Sequence, residues 1–312
     1  MPKLVDLTPD LFPALHEAFL RDDDPYSDRE RWRHVFFPPW AEPNEGAGKV
    51  LVEGNAVVGL LGMVRRTRTV GGTRHEICNL HTWWVHPDHR AHAVAMLRPF
   101  MSDRTRTYTY LTPGDRVRAI MKPLGFTPLS SRMRLLLPLR SRDDGPDELI
   151  FDDAIDEAAL SPDDRTIAAD HRPYGTGRLA VRTEAGTCLV VYTHVERYRV
   201  RYCHIHHVGD RTIFEAHEPR IRKALMKRHA VWLVGLDHRL WQDAKLKRSL
   251  NFPAPAHALV RPAAALGDLD EIAIDNLYSD VAMLSLAAMP SLRHELVEPL
   301  RRRFLPHLVK PL

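Results

Sequence analysis

The stretch that decides the fold runs from Asn79 to Leu97 and reads NLHTWWVHPDHRAHAVAML. Apolar residues up to Val85 predict a strand, Pro87 marks a turn, and small residues at alternating positions after Arg90 open a helix. Free backbone N–H groups at a helix start, together with the helix dipole, attract anions. Small side chains let a phosphate approach that backbone closely. We therefore expect residues 79–95 to hold a phosphate-bearing ligand.

The elements around this stretch predict a mixed sheet. A strand–helix–strand unit after residue 75 favours a parallel, right-handed crossover, and the strands before it read as antiparallel hairpins. We therefore predict an α/β fold, an α+β mixed sheet with helices on its faces. The predicted strands are 49–53, 56–69, about 75–85, 106–111 and 132–139, and the main helices begin near Thr8, Asp28, Ala91 and Asp115.

A length of 312 residues favours two domains. Ser141 to Pro146 reads as a linker, and a similar order of helix, hairpin, strand, helix and strand follows it. We predict one domain over residues 1–140 and a second, degenerate one over 147–312, whose last segment, 270–312, is mostly helical. The second half has Gly209–Asp210–Arg211–Thr212 after its corresponding strand and lacks the small-residue pattern, so we expect it to have lost cofactor binding.

The composition limits the partners and the compartment. The formal net charge of +4 suits an anionic ligand but is too small to argue for nucleic acid. Three scattered cysteines do not make a disulfide framework. The first residues do not resemble a signal peptide, and no apolar run approaches the ~20 residues that span a bilayer. We expect a cytoplasmic protein without a membrane partner; the sequence leaves its oligomeric state open.

Residues 85–95 resemble the acyl-CoA motif of the GNAT superfamily (GCN5-related N-acetyltransferases), written Val-x-Pro-x-x-Arg-Gly-x-Gly-x-Gly/Ala. Val85, Pro87 and Arg90 match it, and Leu124–Gly125–Phe126 matches the usual end of the next helix. The resemblance implies two fused GNAT domains, the second degenerate, and an acetyl-CoA or other acyl-CoA cosubstrate without a metal. The residues that it implies for cofactor binding are Trp84, Val85, His86, Arg90, Ala91, His92, Ala93, Val94 and Ala95.

Alanines are the main departure from this motif. Ala91 and Ala93 stand where the family mostly has glycine. Each adds a methyl group where the backbone and a pyrophosphate should approach, which the chain tolerates at negative φ but not at positive φ.

The resemblance also implies that an amine attacks the thioester directly while a base takes its proton. By strand alternation, Asn79, His81 and Trp83 share the face of Val85. We predict His81 as the general base, Asn79 as the residue that orients water or substrate, and Glu76 as the second candidate for the base. Met121 stands at the family's usual tyrosine position. Tyr108 and Tyr110 on the preceding strand are therefore the candidate acids, with Tyr110 nearer the strand end.

Three interpretations remain open at this point. The first is an N-acyltransferase that moves an acetyl or longer acyl group to a small-molecule amine. The second is a binding or regulatory protein that keeps the fold without catalysis. The third is a duplicated-domain transferase that uses aminoacyl-tRNA, which predicts a long basic groove.

Overall fold

The computed structural model describes residues 1–23, 28–41, 46–70, 73–129, 132–139, 147–197, 200–253, 258–266 and 274–286. Its strands form two mixed sheets of seven strands each, with helices packed on them. This confirms the predicted α/β fold class. The predicted linker at Ser141 to Pro146 lies outside the described residues, as do residues 270–273 and 287–312 of the predicted helical end.

The first sheet contains most strands of the first half of the chain. β1 to β4 are antiparallel neighbours, and β4 and β5 are parallel, as the strand–helix–strand unit requires. Its strands are β1 (Lys3–Asp6), β2 (Gly48–Glu53), β3 (Ala56–Val70), β4 (Thr73–Val85), β5 (Thr107–Tyr110), β6 (Thr127–Pro128) and β14 (Leu259–Arg261). Their order is β1-β2-β3-β4-β5-β14-β6.

The second sheet repeats this plan, because its central strands again pair in parallel after a series of hairpins. Its strands are β7 (Arg132–Leu136), β8 (Glu148–Phe151), β9 (Gly177–Thr183), β10 (Gly186–Arg197), β11 (Val200–Val208), β12 (Val234–Asp237) and β13 (Ser249–Pro253). Their order is β13-β7-β12-β11-β10-β9-β8.

The two sheets exchange one strand each. β7, which we predicted as the last strand of the first half, lies in the second sheet between β12 and β13. In return, β14 lies in the first sheet between β5 and β6. An alternating pattern predicts that a strand exists but not its partner, which is why this exchange was not anticipated. The bounds of the two domains at 1–140 and 147–312 stay a prediction.

The helices are short except in the second half. The α-helices are α1 (Phe12–Leu15), α2 (Arg21–Asp23), α3 (Arg29–Phe36), α4 (Arg98–Ser102), α5 (Asp115–Met121), α6 (Pro162–His171), α7 (Arg211–His229) and α8 (Asp280–Met283). A π-helical segment spans His16–Leu20, and 3₁₀ turns cover Pro87–His92, Val94–Leu97, Lys122–Leu124, Asp152–Ala154, Glu157–Ala159, Arg172–Tyr174 and His238–Trp241. None of the helices described is long and apolar enough to cross a membrane.

The helix predicted from about residue 91 to 105 is α-helical only at Arg98–Ser102. Two 3₁₀ segments precede it. Pro99 explains the difference, because a proline has no N–H to donate and its ring clashes with the carbonyl four residues earlier. The backbone before Arg98 is accordingly 3₁₀ rather than α-helical.

Two apolar layers cover the first sheet. On the α1–α3 face, side chains of the sheet such as Val50 and Leu60 pack against Phe12, Trp32 and Phe36. On the α4–α5 face, Leu80, Phe100, Met121 and Phe126 are among the residues that form the second layer. Burial of one such large side chain stabilises the fold by about 1.5–3 kcal/mol. Both faces of β4 are therefore covered, and its end is where the sheet opens.

Candidate functional site

β4 and β5 separate in the middle of the first sheet. Their parallel pairing covers only Ile77–Asn79 against Thr107–Thr109. Beyond it, the N–H of Trp83 donates to the phenol oxygen of Tyr110 at 3.3 Å, so a side chain accepts this bond in place of a strand carbonyl. The two backbones are no longer paired along the last residues of β4.

A bulge at Thr82 accompanies this separation. Thr82 has a φ of 47°, and the register of β3 against β4 shifts between Leu60 and Gly62. Leu60 lies opposite Trp84 while Gly62 lies opposite His81, so β4 carries one extra residue here. A bulge of this kind bends a strand and redirects its side chains.

The bulge corrects the predicted alternation of β4. His81 lies on the α1–α3 face, where its ring centroid is 5.2 Å from that of Phe36. Trp83 and Val85 pack on the α4–α5 face instead. The prediction that Asn79 and His81 share the face of Val85 was therefore wrong, because simple alternation does not survive an inserted residue.

Trp84 points to the α1–α3 face and stacks on Phe19, with ring centroids 4.7 Å apart. Trp83 packs in the layer on the opposite side. The two adjacent indoles thus lie on opposite faces of the sheet and fasten the end of β4 to both layers.

The turn after β4 is open to solvent. His86, Asp88 and Arg90 are exposed, as are Ala91 and Ala95. Val94 is 52% exposed. Arg90 forms no ion pair with any residue in the described part of the chain. An exposed guanidinium beside a helix start suits a phosphate.

Part of the backbone in this turn is already bonded. The N–H of His89 donates to the carbonyl of His86, and the N–H of Asp88 donates to Nδ1 of His86 at 3.4 Å. The segment Pro87–His92 is a 3₁₀ turn, which uses further amides within itself. The sequence predicted free backbone N–H groups at this turn. Because the 3₁₀ turn uses some of them, fewer are free to bind an anion than at the start of an α-helix.

The alanines of the turn fit its backbone. Ala93 has φ −55° and ψ −51°, and among the described residues with positive φ neither Ala91 nor Ala95 occurs. A methyl group therefore costs no backbone strain at these positions. Gly125, at the end of the Lys122–Leu124 turn, has a φ of 89°, which explains the glycine in Leu124–Gly125–Phe126.

His81 is completely buried. Its Nδ1 lies 2.9 Å from the hydroxyl oxygen of Thr82, and its Nε2 has no hydrogen-bond partner among the described residues. Burial lowers the pKa of His81 to about 3. The imidazole is therefore neutral at pH 7 and a weak base, and it lies over Gly62 of β3 and beside Phe36.

Asn79 belongs to a buried polar chain that the sequence did not reveal. Its Nδ2 donates to Oδ1 of Asp280 at 3.0 Å, and its Oδ1 accepts from the hydroxyl of Thr109 at 3.2 Å. Asp280 also accepts from the hydroxyl of Thr112 at 2.9 Å. The one signal in the sequence was an aspartate within the apolar run 277–284, after Ser279.

Glu76 lies at the other end of β4. Its carboxylate accepts from Nε of Arg106 at 2.5 Å and lies 3.5 Å from a guanidinium nitrogen of Arg65. It precedes the paired stretch that begins at Ile77, so it does not border the separated part of the strands. The structure therefore places this second candidate for the base in an ion-pair cluster.

Tyr110 is the predicted site residue that lies directly at the separation. Its side chain is 5% exposed and packs in the same layer as Met121, which occupies the family's usual tyrosine position. Its phenol oxygen accepts the bond from the N–H of Trp83, which ties this side chain to the end of β4.

The second half has carboxylates where the first has an exposed arginine. The side chain of Asp210 accepts from the N–H of Ile213 at the start of α7 at 2.8 Å. The carboxylate of Asp164 lies against Gly209, where an added Cβ would meet it at 2.2 Å, and it also contacts Nε2 of His207 at 2.7 Å. The exposed Arg211 at the same helix start is ion-paired with Glu215 and Asp243, and the loss of cofactor binding in this half stays a prediction.

The histidines of β11 do not form a metal site in the described residues, which contain no suitable group of three His, Cys, Asp or Glu side chains. His204 and His206 lie side by side, with ring centroids 4.2 Å apart. Burial lowers the pKa of His204 to about 4, and the pKa of His206 is lowered as well. Both imidazoles are therefore buried and neutral at pH 7.

Comparisons with known proteins show the fold. No family model matches the sequence. No curated protein matches it either. Solved structures do: a GCN5-related N-acetyltransferase from Anabaena variabilis ATCC 29413 aligns with a TM-score of 0.55 at 10% identity, over 85% of this chain and 74% of that one. One from Kribbella flavida aligns with a TM-score of 0.55 at 16% identity, over 85% and 72%.

A third solved structure, of a Pyrococcus horikoshii protein, aligns with a TM-score of 0.53 at 10% identity over 89% of this chain and 95% of that one. These likenesses agree with the separated parallel strands and the turn that follows them. The chain therefore has the fold of the GCN5-related N-acetyltransferases, in two tandem sheets.

Proposed function

We propose that this chain is an N-acyltransferase that moves an acetyl or longer acyl group from acyl-CoA to a small-molecule amine. The observation that carries the proposal is the separation of β4 from β5 beyond Asn79, directly before an exposed turn. Strands that part leave backbone N–H and C=O groups in need of partners. An extended, amide-bearing arm can bond such groups as an added strand does.

The turn supplies the positive end of the proposed site. Arg90 is exposed within the Pro87–His92 turn, and His86 and His92 lie at the two ends of this turn along the chain. Trp84 and Val85 complete the end of β4, and Ala91, Ala93, Val94 and Ala95 form the small-residue surface that follows. The proposed CoA site is made of these residues.

The transfer needs one nucleophile and one leaving group. The amine nitrogen attacks the thioester carbon, a C–N bond forms, the C–S bond breaks, and the CoA thiolate takes up a proton. A thiol with a pKa near 8.5 is a good leaving group, so acid assistance is helpful but not essential. The hydroxyl of Tyr110 lies at the separation, which keeps Tyr110 as our candidate for the acid.

The role predicted for His81 as general base receives no support from its surroundings. The ring is fully buried on the α1–α3 face, and its pKa of about 3 makes it a poor acceptor of an amine proton. A structural role, filling the space over Gly62, fits these observations better.

A binding protein without catalysis is the second candidate function. The observation that favours it is the 3₁₀ turn at Pro87–His92, whose amides are partly bonded within the chain. Such a protein would bind acyl-CoA, or a related carrier, and release it unchanged.

Two measurements test the proposal. Thermal unfolding with acetyl-CoA, a long-chain acyl-CoA and desulfo-CoA reports binding, because a ligand of the native state raises Tm by mass action. We expect Arg90→Ala to reduce this shift, while Arg165→Ala, an exposed arginine on α6, leaves it unchanged. No shift with any of the three compounds would refute both candidate functions.

Mass spectrometry then separates the two candidates. The protein is incubated with acetyl-CoA and a panel of primary amines, and the products are searched for N-acetylated compounds and free CoA. Formation of an amide supports the transferase. Binding without any turnover across the panel supports the second candidate.

A further inference from the structure

A cleft opens on the α4–α5 face of the first sheet. Its volume is about 580 Å³, which lies within the ~300–1,000 Å³ that small-molecule sites usually have. Lys49 of β2, Met63 of β3 and Tyr108 of β5 line it from the sheet, and Pro99 and Phe100 line it from α4. The cleft is therefore large enough for a small organic ligand.

This cleft is separate from the proposed CoA site. Arg65, which lines it, lies opposite Cys78 of β4, whereas the exposed turn begins after Val85, about 20 Å further along that strand. None of the residues proposed for CoA is among the described residues that line the cleft. A ligand in the cleft would therefore not occupy the turn.

Cations outnumber carboxylates among the described residues that line the cleft. Lys49, Arg65 and Arg106 face one carboxylate, that of Asp6. Nζ of Lys49 donates to Asp6 at 2.6 Å, but the Asp6 side chain is 65% exposed, so water screens its charge. Burial raises the pKa of Tyr108 to about 12, so its hydroxyl adds no negative charge at pH 7. The described wall thus has an excess of positive charge, which attracts an anion.

The two arginines are held in place by carboxylates that are not among the described lining residues. Nε of Arg106 donates to Glu76 at 2.5 Å, and Nη1 of Arg106 donates to Asp103 at 2.9 Å. Glu76 also lies 3.5 Å from a guanidinium nitrogen of Arg65. These contacts fix the guanidinium groups before a ligand arrives, which lowers the entropy cost of binding. A guanidinium has five N–H donors, so it can bond a further anion while it keeps such contacts.

The rest of the wall is largely apolar. Leu7, Pro9, Phe37, Met63 and Phe100 contribute aliphatic or aromatic surface. An inorganic anion would leave this surface in contact with water, whereas a ligand with a nonpolar body would cover it. Apolar surface beside a few fixed polar groups is the usual composition of a small-molecule site.

We propose that this cleft is a second ligand site, which binds a small organic carboxylate with an aromatic or aliphatic body. The carboxylate lies between Lys49 and Arg106, and the body packs on Met63 and Phe100. Arginine suits a carboxylate because two of its N–H groups match the two oxygens. The proposal does not depend on acyl transfer, because the ligand contacts no residue of the proposed CoA site.

Three compounds test the two parts of this ligand class. 3-Phenylpropanoate has the charge and the body, 3-phenylpropanamide has the body without the charge, and acetate has the charge without the body. Isothermal titration calorimetry at constant chloride concentration gives each Kd. We expect 3-phenylpropanoate to bind about 10-fold or more tightly than either of the others, since a contact to a charged group is lost with the amide and the apolar contacts are lost with acetate. Equal affinities, or no binding of 3-phenylpropanoate at millimolar concentration, would overturn the proposal.

Substitutions of the charged residues should change the affinity in opposite directions. Lys49→Gln removes a cation, and we expect 3-phenylpropanoate to bind about 10-fold more weakly. Asp6→Asn removes the carboxylate of the wall, so binding should become about two-fold tighter or more. Lys3→Gln is the control with the same change of charge, because Lys3 is an exposed residue of β1 outside the cleft, and we expect no effect. Weaker binding in Asp6→Asn, or equal losses in the two lysine variants, would contradict the proposal.

A blocking variant locates the ligand. Thr8 lines the cleft and is exposed, so Thr8→Trp adds an indole there without displacing a buried side chain. We expect it to abolish binding of 3-phenylpropanoate and to keep the Tm shift with acetyl-CoA, while Arg90→Ala does the reverse. If Arg90→Ala weakens 3-phenylpropanoate binding and Thr8→Trp does not, the carboxylate binds at the turn and the cleft is not its site. A wild-type protein that binds 3-phenylpropanoate but no acyl-CoA would refute the proposed function and support this site.

Discussion

The main-chain N–H of Trp83 donates to the hydroxyl of Tyr110 at 3.3 Å, beyond the last backbone pair of β4 and β5. A phenol thus stands where a regular sheet would have a peptide carbonyl. The contact therefore joins the geometry of the sheet to the proposed leaving-group step.

Tyr110→Phe removes the hydroxyl and keeps the ring in the core. We expect kcat for acyl transfer to fall about 10²-fold, the lower end for a general acid, since a thiolate leaves well. The acetyl-CoA affinity should stay within about two-fold. Tyr108→Phe is the control. Tyr108 lies on the paired part of β5, and its hydroxyl donates to the carboxylate of Asp103. An unchanged kcat for Tyr110→Phe would exclude the acid role.

Gly62→Ala should destabilise the fold. A Cβ at this position would lie 2.6 Å from Cε1 of His81 and 2.8 Å from Cε1 of Phe36, so both rings must shift. We expect a loss of about 1–3 kcal/mol in the free energy of unfolding, measured by urea denaturation. Gly114→Ala is the control, since nothing lies within 4 Å of its Cβ position and its φ is −70°; we expect a change within about 0.5 kcal/mol.

Stability should fall below neutral pH because of buried histidines. The pKa of His81 is about 3 in the folded protein, below its ordinary value of 6.5, so the unfolded chain binds the extra proton between these values. The stabilisation is complete above about pH 6.5 and declines as the pH falls toward 3. Urea unfolding at several pH values gives the free energy of unfolding as a function of pH. Its slope should be smaller in His81→Gln, by an amount that corresponds to up to about one bound proton. An identical slope would contradict this.

Glu76→Gln tests the second candidate for the base. The carboxylate is partly exposed and bonded to Arg106, which also contacts Asp103 at 2.9 Å. We expect a loss of about 0.5–1 kcal/mol in stability, as for partly exposed ion pairs, and no change in the rate of acyl transfer. If the rate falls by a factor of ten or more while acetyl-CoA binding stays intact, Glu76 is supported as the general base.

Local patterns in the sequence predicted most strands and their order. The strand that ends at Val85, the turn at Pro87 and the left-handed Gly125 all depend on residues close to one another along the chain. β1, β6, β8 and β13 were missed, because strands of two to five residues are too short to show a clear period of two. The base candidates on β4 were chosen by strand alternation. The single extra residue at Thr82 reverses that alternation for the residues that follow it.

The buried polar chain around Asn79 could not be predicted for a different reason. Asp280 is separated by 201 positions from Asn79, and only the folded chain brings them to hydrogen-bond distance. Its neighbours Val281, Ala282 and Met283 read as part of an ordinary apolar helix. The burial of His81 was not predictable either. The sequence shows that an imidazole is present but not whether solvent reaches it.

The reciprocal placement of β7 and β14 makes the order of synthesis matter. β6 and β5 are joined through β14, so the first sheet cannot be completed until residues 259–261 have left the ribosome. Domains usually fold as they emerge, with the N-terminal one first. Here the earlier half must wait, partly assembled, for a strand that is synthesised well after the rest of its sheet. The later half is therefore required for the earlier half to finish folding.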